Sequence, residues 1–432
     1  MRAGIRRFFR AALLYSAIVA VTLVVADLLM IAFDVFPPPH NPGDAVAGWV
    51  AARPTGEARR MSCWEFALNR SYEYERNEDA VRTSFSAQQL RSDEGLFTIA
   101  VTGDSQTELC APNELTHFGV LERELRSGGI PAAAFSYAAG KYSPLQAYLA
   151  VKQPMADYAA DVLVLNVYTG NDIYDMLRVD DRPHFVPDGN GYVIAPPIWY
   201  QEDPPDLHRR SRVLYALSAI GTRTGLRGVY VRLRYLHTVA AEQGQGILSV
   251  LAYMNDLRRS AASDVGYSAA FVAQMLNQQL FFHRFPGSAE ESMKRLRALL
   301  ELVRRENPDR LLVLSALPSY QLVNKQPVDS ALVAVLERLP LTHEGGVREE
   351  GGFYAELEEL AADTGWAFVD NLSVLRAYGG PEPLFNDFDY HFLPVASEMI
   401  GKAQAAVISE YVRTHRSSVT AESPNSAVRA VP

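Results

Sequence analysis

Five short apolar runs, each set beside helix-compatible sequence, constrain this chain more than any other feature. They lie at 97–101, 130–135, 162–167, 311–314 and 367–369. The third, Val162-Leu163-Val164-Leu165-Asn166-Val167, is almost continuously apolar, the pattern of a strand covered on both faces. Such runs alternating with helices predict an α/β fold with a doubly wound, mostly parallel sheet. A helix is predicted from Ser288, where Glu291 three residues on suggests a capping box. A terminal helix is predicted over 394–412. No repeat of 20–50 residues interrupts this organisation.

The N-terminus follows a different rule. Arg2, Arg6, Arg7 and Arg10 precede an apolar run over 11–36 whose only charges are Asp27 and Asp34. A helix needs about 20 apolar residues to cross a hydrocarbon core, and this run supplies them. The arginines before it, with none again until Arg53, predict an N-in, C-out single-pass anchor. In a bacterium the body would then sit beyond the inner membrane, in the periplasm or at the surface. A cleaved signal peptide ending near Ala26 is the competing reading. The apolar stretch continues past Asp27 through Phe33, which favours an uncleaved anchor.

The expected organisation is a basic cytoplasmic segment (1–10), the anchor (11–36), a linker and packing segment (37–90), a catalytic domain (91–415) and a disordered tail (416–432). An insertion over about 175–285 breaks the α/β rhythm. Pro187-Asp188-Gly189-Asn190-Gly191 reads as a hairpin turn within it. Between Asp206 and Glu242 it carries Arg209, Arg210, Arg212, Arg223, Arg227, Arg232 and Arg234, and no acid. A solvated basic helix face is the favoured account; a surface for anionic lipid or acidic glycan is the alternative.

A net charge of −9 argues against a nucleic-acid partner. No His/Cys cluster has metal-ligand spacing, and no glycine-rich phosphate loop occurs, so no cofactor is expected. The two cysteines, Cys63 and Cys110, are either bridged or two separate thiols. Oligomeric state is left open.

Four blocks carry the chemistry. Gly103-Asp104-Ser105-Gln106-Thr107 follows the first strand. Gly140 lies in the loop after the second, within Ala139-Gly140-Lys141-Tyr142-Ser143-Pro144. Gly170-Asn171-Asp172 follows the third. Asp389-Tyr390-His391 immediately precedes the last helix. Active sites of open α/β sheets form at the carboxyl ends of strands. Each residue also has a plain alternative: Ser105 or Asn171 as a helix cap, Gly140 as a turn glycine, His391 as one histidine among nine.

In this order and context the blocks resemble the SGNH hydrolases of the GDSL superfamily, over 95–172 and 287–412. The resemblance implies a three-layer SGNH-like sandwich. It implies Ser105 as nucleophile, His391 as its base and Asp389 orienting the imidazole. It also implies an oxyanion hole made by the N–H groups of Ser105 and Gly140 and the amide of Asn171. Many relatives place the acid three residues before the histidine, where this chain has Phe388. Asp389 is preferred to Asp387, because a two-residue spacing occurs in branches that acetylate polysaccharides. The implied activity is ester hydrolysis outside the cytoplasm, with an O-acetylated glycan as the expected substrate. An O-acyltransferase using the same triad, or a non-catalytic anchored glycan-binding or assembly protein, is the alternative.

Overall fold

The structure is a computed structural model. It describes residues 15, 16, 18, 19, 21–26, 28, 43, 44, 47–49, 56–65, 70–93, 95–178, 182–189, 191–196, 287–324, 350–386 and 391–421. The chain divides into two compact units. One comprises 1–41 with 201–256, and the other 42–200 with 257–432.

Of the first unit, the described residues between 15 and 28 are helical. Their apolar side chains, among them Ile18, Val21, Val24 and Leu28, are exposed. Among the described residues no helix is long and apolar enough to cross a membrane. Most of the predicted anchor, the arginine-rich stretch after Asp206 and the end of the tail lie outside them.

The second unit is built on a parallel sheet. Its strands are β3 (Phe97–Thr102), β4 (Ala132–Ser136), β5 (Val162–Tyr168), β8 (Leu311–Leu317) and β9 (Ala367–Asp370). Their order across the sheet is β9-β8-β5-β3-β4, with every neighbouring pair parallel. All five predicted strands are present.

Their apolar runs are continuous because alternate residues serve opposite faces. Ala100, Phe135, Leu163, Leu165, Leu312 and Leu314 join one buried cluster. Helices α4 (Pro144–Asp157), α6 (Ser288–Glu306) and α7 (Glu350–Thr364) cover it. Ile99, Val101, Ala134, Val162, Val164 and Val313 join the other, beneath α3 (His117–Ser127) and α9 (Pro394–Ala421). The result is a three-layer α/β/α arrangement.

Helices α3 and α9 approach closely: a Cβ on Gly401 would lie 2.6 Å from the His117 carbonyl oxygen. The terminal helix runs to Ala421, beyond the predicted end at Val412 and into the segment expected to be disordered.

The sheet is wound outward from β3. The chain goes first to β4 on one side, then to β5, β8 and β9 on the other. The carboxyl end of β3 is therefore the point where winding direction reverses, the place where open α/β sheets form their binding crevices.

The predicted hairpin around 187–191 is present as β6 (His184–Asp188) and β7 (Gly191–Ala195). A second antiparallel hairpin, β1 (Arg59–Glu65) with β2 (Arg70–Arg76), precedes the sheet. Cys63 is bridged to Cys110, with Cα atoms 5.7 Å apart, which selects the first of the two cysteine readings.

The capping box predicted at Ser288 does not form. Gly287, at φ 83°, takes the N-cap position, and no side chain caps the helix. A left-handed glycine lets the chain enter α6 one residue early, so Ser288 is already inside the first turn. Glu291 instead accepts from Tyr192 Oη (3.0 Å) and Arg295 Nε (2.9 Å). A capping box does form at Ser86 and Gln89, opening α1 (Ala87–Ser92).

Candidate active site

Ser105 is the first residue of α2 (Ser105–Glu108), a single turn set directly at the carboxyl end of β3. The turn is capped by Asp104, whose Oδ1 accepts the Gln106 N–H at 2.9 Å. Capping is thus the work of the preceding residue, and the half-buried Ser105 is not the N-cap.

Gly103 lets the backbone enter this turn. A Cβ there would lie 2.3 Å from Thr107 Oγ1, 3.0 Å from Asn166 Cβ and 3.1 Å from the Asn166 carbonyl oxygen.

The segment after α2 is held from several sides. Arg82 is buried, and its guanidinium donates to the carbonyls of Glu108, Leu109 and Ala111 and to Asn113 Oδ1. Burial lowers its pKa to about 10, and the charge of Arg76 pushes the same way. Leu109 adopts φ 37°, a left-handed conformation that costs a branched side chain energy and persists only where surroundings enforce it. Arg82 and the Cys63–Cys110 bridge supply that enforcement.

Gly140 is brought to Ser105. A Cβ built on it would lie 3.7 Å from Ser105 Cβ and 3.4 Å from Glu108 Oε2. The left-handed residue of this loop is its neighbour Lys141, at φ 71°, so Gly140 is not required for the turn. Its N–H donates to Glu108 Oε2 at 2.7 Å. Arg76, itself buried, stands 4.0 Å from the other oxygen of that carboxylate.

Asn171 occupies the N-cap position of α5 (Asp172–Asp175) without making a cap bond. Its Nδ2 donates to Asp175 Oδ2 (2.8 Å) and Asp172 Oδ1 (3.3 Å). Two of the three donors expected to face an oxyanion, the Gly140 N–H and the Asn171 amide, are therefore engaged by carboxylates.

His391 is half-buried at the start of the final loop, and its carbonyl accepts the Asn386 N–H at 3.0 Å. The residue after it, Phe392, donates its N–H to Gln106 Oε1 at 3.1 Å. That bond ties the His391 loop to the residue after Ser105. Asp387 and Asp389 lie outside the described residues.

Sequence reasoning missed the carboxyl cluster under the site. Asp104, Asp172 and Asp175 are all buried. Asp175 Oδ1 lies 2.9 Å from Arg182 Nη1, and Asp172 accepts the Tyr168 N–H at 2.8 Å. Burial pushes Asp104 up to about 6; the Gln106 N–H and then the charge of His391 pull it down, and Asp175 pushes it up. Burial, reinforced by Asp104, raises Asp172 well above the carboxylate range. The sequence signal for this cluster was the Asp of each Gly-Asp-Ser and Gly-Asn-Asp block.

His117 shows what a structural histidine looks like here. It is fully buried, its pKa is lowered to about 3 by burial and then by Arg82, and its Nε2 accepts from Asn166 Nδ2 at 3.1 Å. Asn166 in turn accepts from Gln404, which also donates to Ser315.

No family model matches the chain, and no curated protein matches it. Among solved structures it is similar to TesA, at 10% identity over 72% of this chain and 98% of that chain, with a TM-score of 0.33. It is also similar to the acetyl xylan esterase AlAXEase, at 11% identity over 72% and 99% of the two chains, with a TM-score of 0.33. A third is LAE5, an alpha/beta hydrolase enzyme from the metagenome of Lake Arreo, Spain, at 10% identity over 72% and 94%, with a TM-score of 0.34.

Proposed function

We propose that the chain is a serine-dependent acyl-ester hydrolase of the SGNH type, acting outside the cytoplasm on O-acetylated glycan. The observation that carries this reading is the convergence at the carboxyl end of β3. Ser105 opens a helix there, Gly140 packs against it, and the His391 loop is tied to the next residue. In the proposed reaction His391 takes the Ser105 proton as the hydroxyl attacks the ester carbonyl. The imidazolium then protonates the leaving alcohol, and water releases the acyl group. Asp389 holds the imidazole. The N–H groups of Ser105 and Gly140 and the Asn171 amide hold the oxyanion once the carboxylates on Gly140 and Asn171 give way.

The extracytoplasmic site is supported by the arginines before the apolar run, by the exposed apolar side chains between Ile18 and Leu28, and by the Cys63–Cys110 bridge. The glycan is supported by the anchor-like N-terminus together with the Asp389–His391 spacing.

A fluorophosphonate followed by peptide mapping tests the reading. The adduct is expected on Ser105; a folded protein that carries none, or carries it elsewhere, removes the proposal. Turnover of an acetyl ester with and without an oligosaccharide then separates release to water from transfer to a sugar.

Glu108 makes a second prediction. A carboxylate on the Gly140 N–H competes with, and repels, a developing oxyanion. Charge-assisted hydrogen bonds are roughly twice as strong as neutral ones, so Glu108→Gln should speed Ser105 phosphonylation by about fivefold. Slower labelling would show that the carboxylate assists rather than blocks.

A further inference from the structure

The proposed chemistry needs the His391 imidazole aimed at Ser105, yet the two arrive on loops separated by most of the chain. Burial of Ile400 and Ile408 fixes α9, which begins three residues after His391, but a helix start alone leaves the preceding loop free to pivot. One polar contact bridges that gap directly. Gln106, the residue after Ser105, is 3% exposed, and its Oε1 accepts the Phe392 N–H at 3.1 Å in a buried setting.

Both ends of the bridge are fixed. The Gln106 backbone N–H is bound to Asp104 Oδ1, which locks the residue into the nucleophile's turn. Phe392 is buried against Phe385, with ring centroids 4.9 Å apart, and its neighbour Leu393 donates to the Leu384 carbonyl at 2.9 Å. A buried backbone N–H without an acceptor is costly, so the loop is held at the register where Gln106 can reach it.

We propose that Gln106 is a positioning residue that sets the His391 loop against Ser105, acting through the Phe392 N–H. This rests on the hydrolase reading above. A displacement of about 1 Å at a base can cost on the order of 10²-fold in rate without weakening substrate binding.

The test uses the full chain and p-nitrophenyl acetate, with wild-type phosphonate labelling as reference. Gln106→Met keeps the volume and removes the acceptor. Gln106→Glu keeps an acceptor oxygen at the same reach. The Met variant should lose about 10- to 100-fold in kcat with KM within about twofold, and its acidic limb of kcat/KM should move relative to wild type. The Glu variant should stay within about threefold of wild-type kcat.

Wild-type kcat in the Met variant overturns the proposal, as do equal losses in both variants or a change confined to KM. If Gln106→Met does not fold, Gln106→Glu decides: a folded Glu variant that loses more than about tenfold in kcat overturns it. An unlabelled wild type instead removes the hydrolase reading, so the two failures are distinct.

Discussion

Ser105→Ala and His391→Ala should each lower kcat for an acetyl ester by about 10⁴-fold or more while leaving Tm close to wild type. A serine hydroxyl is a weak nucleophile at its own pKa, and an imidazole with no hydroxyl to activate does nothing, so each group is idle without the other. The double variant should therefore be no slower than the worse single one. The residual rate would measure what orientation and the oxyanion donors achieve alone. The fold should tolerate both changes. Asp104, not Ser105, caps α2, and the bonds that hold the His391 loop, Asn386 N–H to His391 C=O and Phe392 N–H to Gln106, do not use the imidazole. The decisive measurements are kcat and a thermal melt on the same preparations. A Ser105→Ala protein that keeps more than about a tenth of the activity would place the nucleophile elsewhere.

How much of this was legible in the sequence follows from which forces are local. The five strands were readable because burial on both faces writes itself into every residue, as in Val162 to Val167. The placement of three of the four blocks was readable for a related reason: parallel topology sets whatever follows β3, β4 and β5 at one edge of the sheet. Side-chain partners were not readable, since each is chosen across the fold. Gly140 and Asn171 were expected to point at substrate, but carboxylates from Glu108 and Asp175 reach them first. Nothing near Gln106 in the chain announces Phe392, and nothing near Arg82 announces the carbonyls 26 to 29 residues later. The Cys63–Cys110 pairing depended on a hairpin whose residues 60–63 and 71–75 alternate between exposed and half-buried, a weak signal beside a sheet strand. At Ser288 the local signal was present and misled, because Gly287 offered a left-handed entry that a pattern of serine and glutamate does not reveal.

Gly103→Ala should damage the site although it removes no functional group. The added methyl meets Thr107 Oγ1 at 2.3 Å, Asn166 Cβ at 3.0 Å and the Asn166 carbonyl at 3.1 Å. Thr107 is buried, so its hydroxyl has little room to rotate, and the Asn166 backbone belongs to β5 in the middle of the sheet. Shifting Asn166 would disturb its bonds to His117 and Gln404, so relief is available mainly by displacing the turn that carries Ser105. Overpacking of this kind typically costs about 1–3 kcal/mol, and here it should also cost about 10²-fold in kcat through misplacement of the hydroxyl. Gly140→Ala is the matched control: its methyl would meet nothing nearer than 3.4 Å, and the position has no need of left-handed backbone. Thermal melts of the two variants should separate clearly, with Gly103→Ala lower. If they coincide, the close approach of β5 to the Ser105 turn is not what demands glycine at 103.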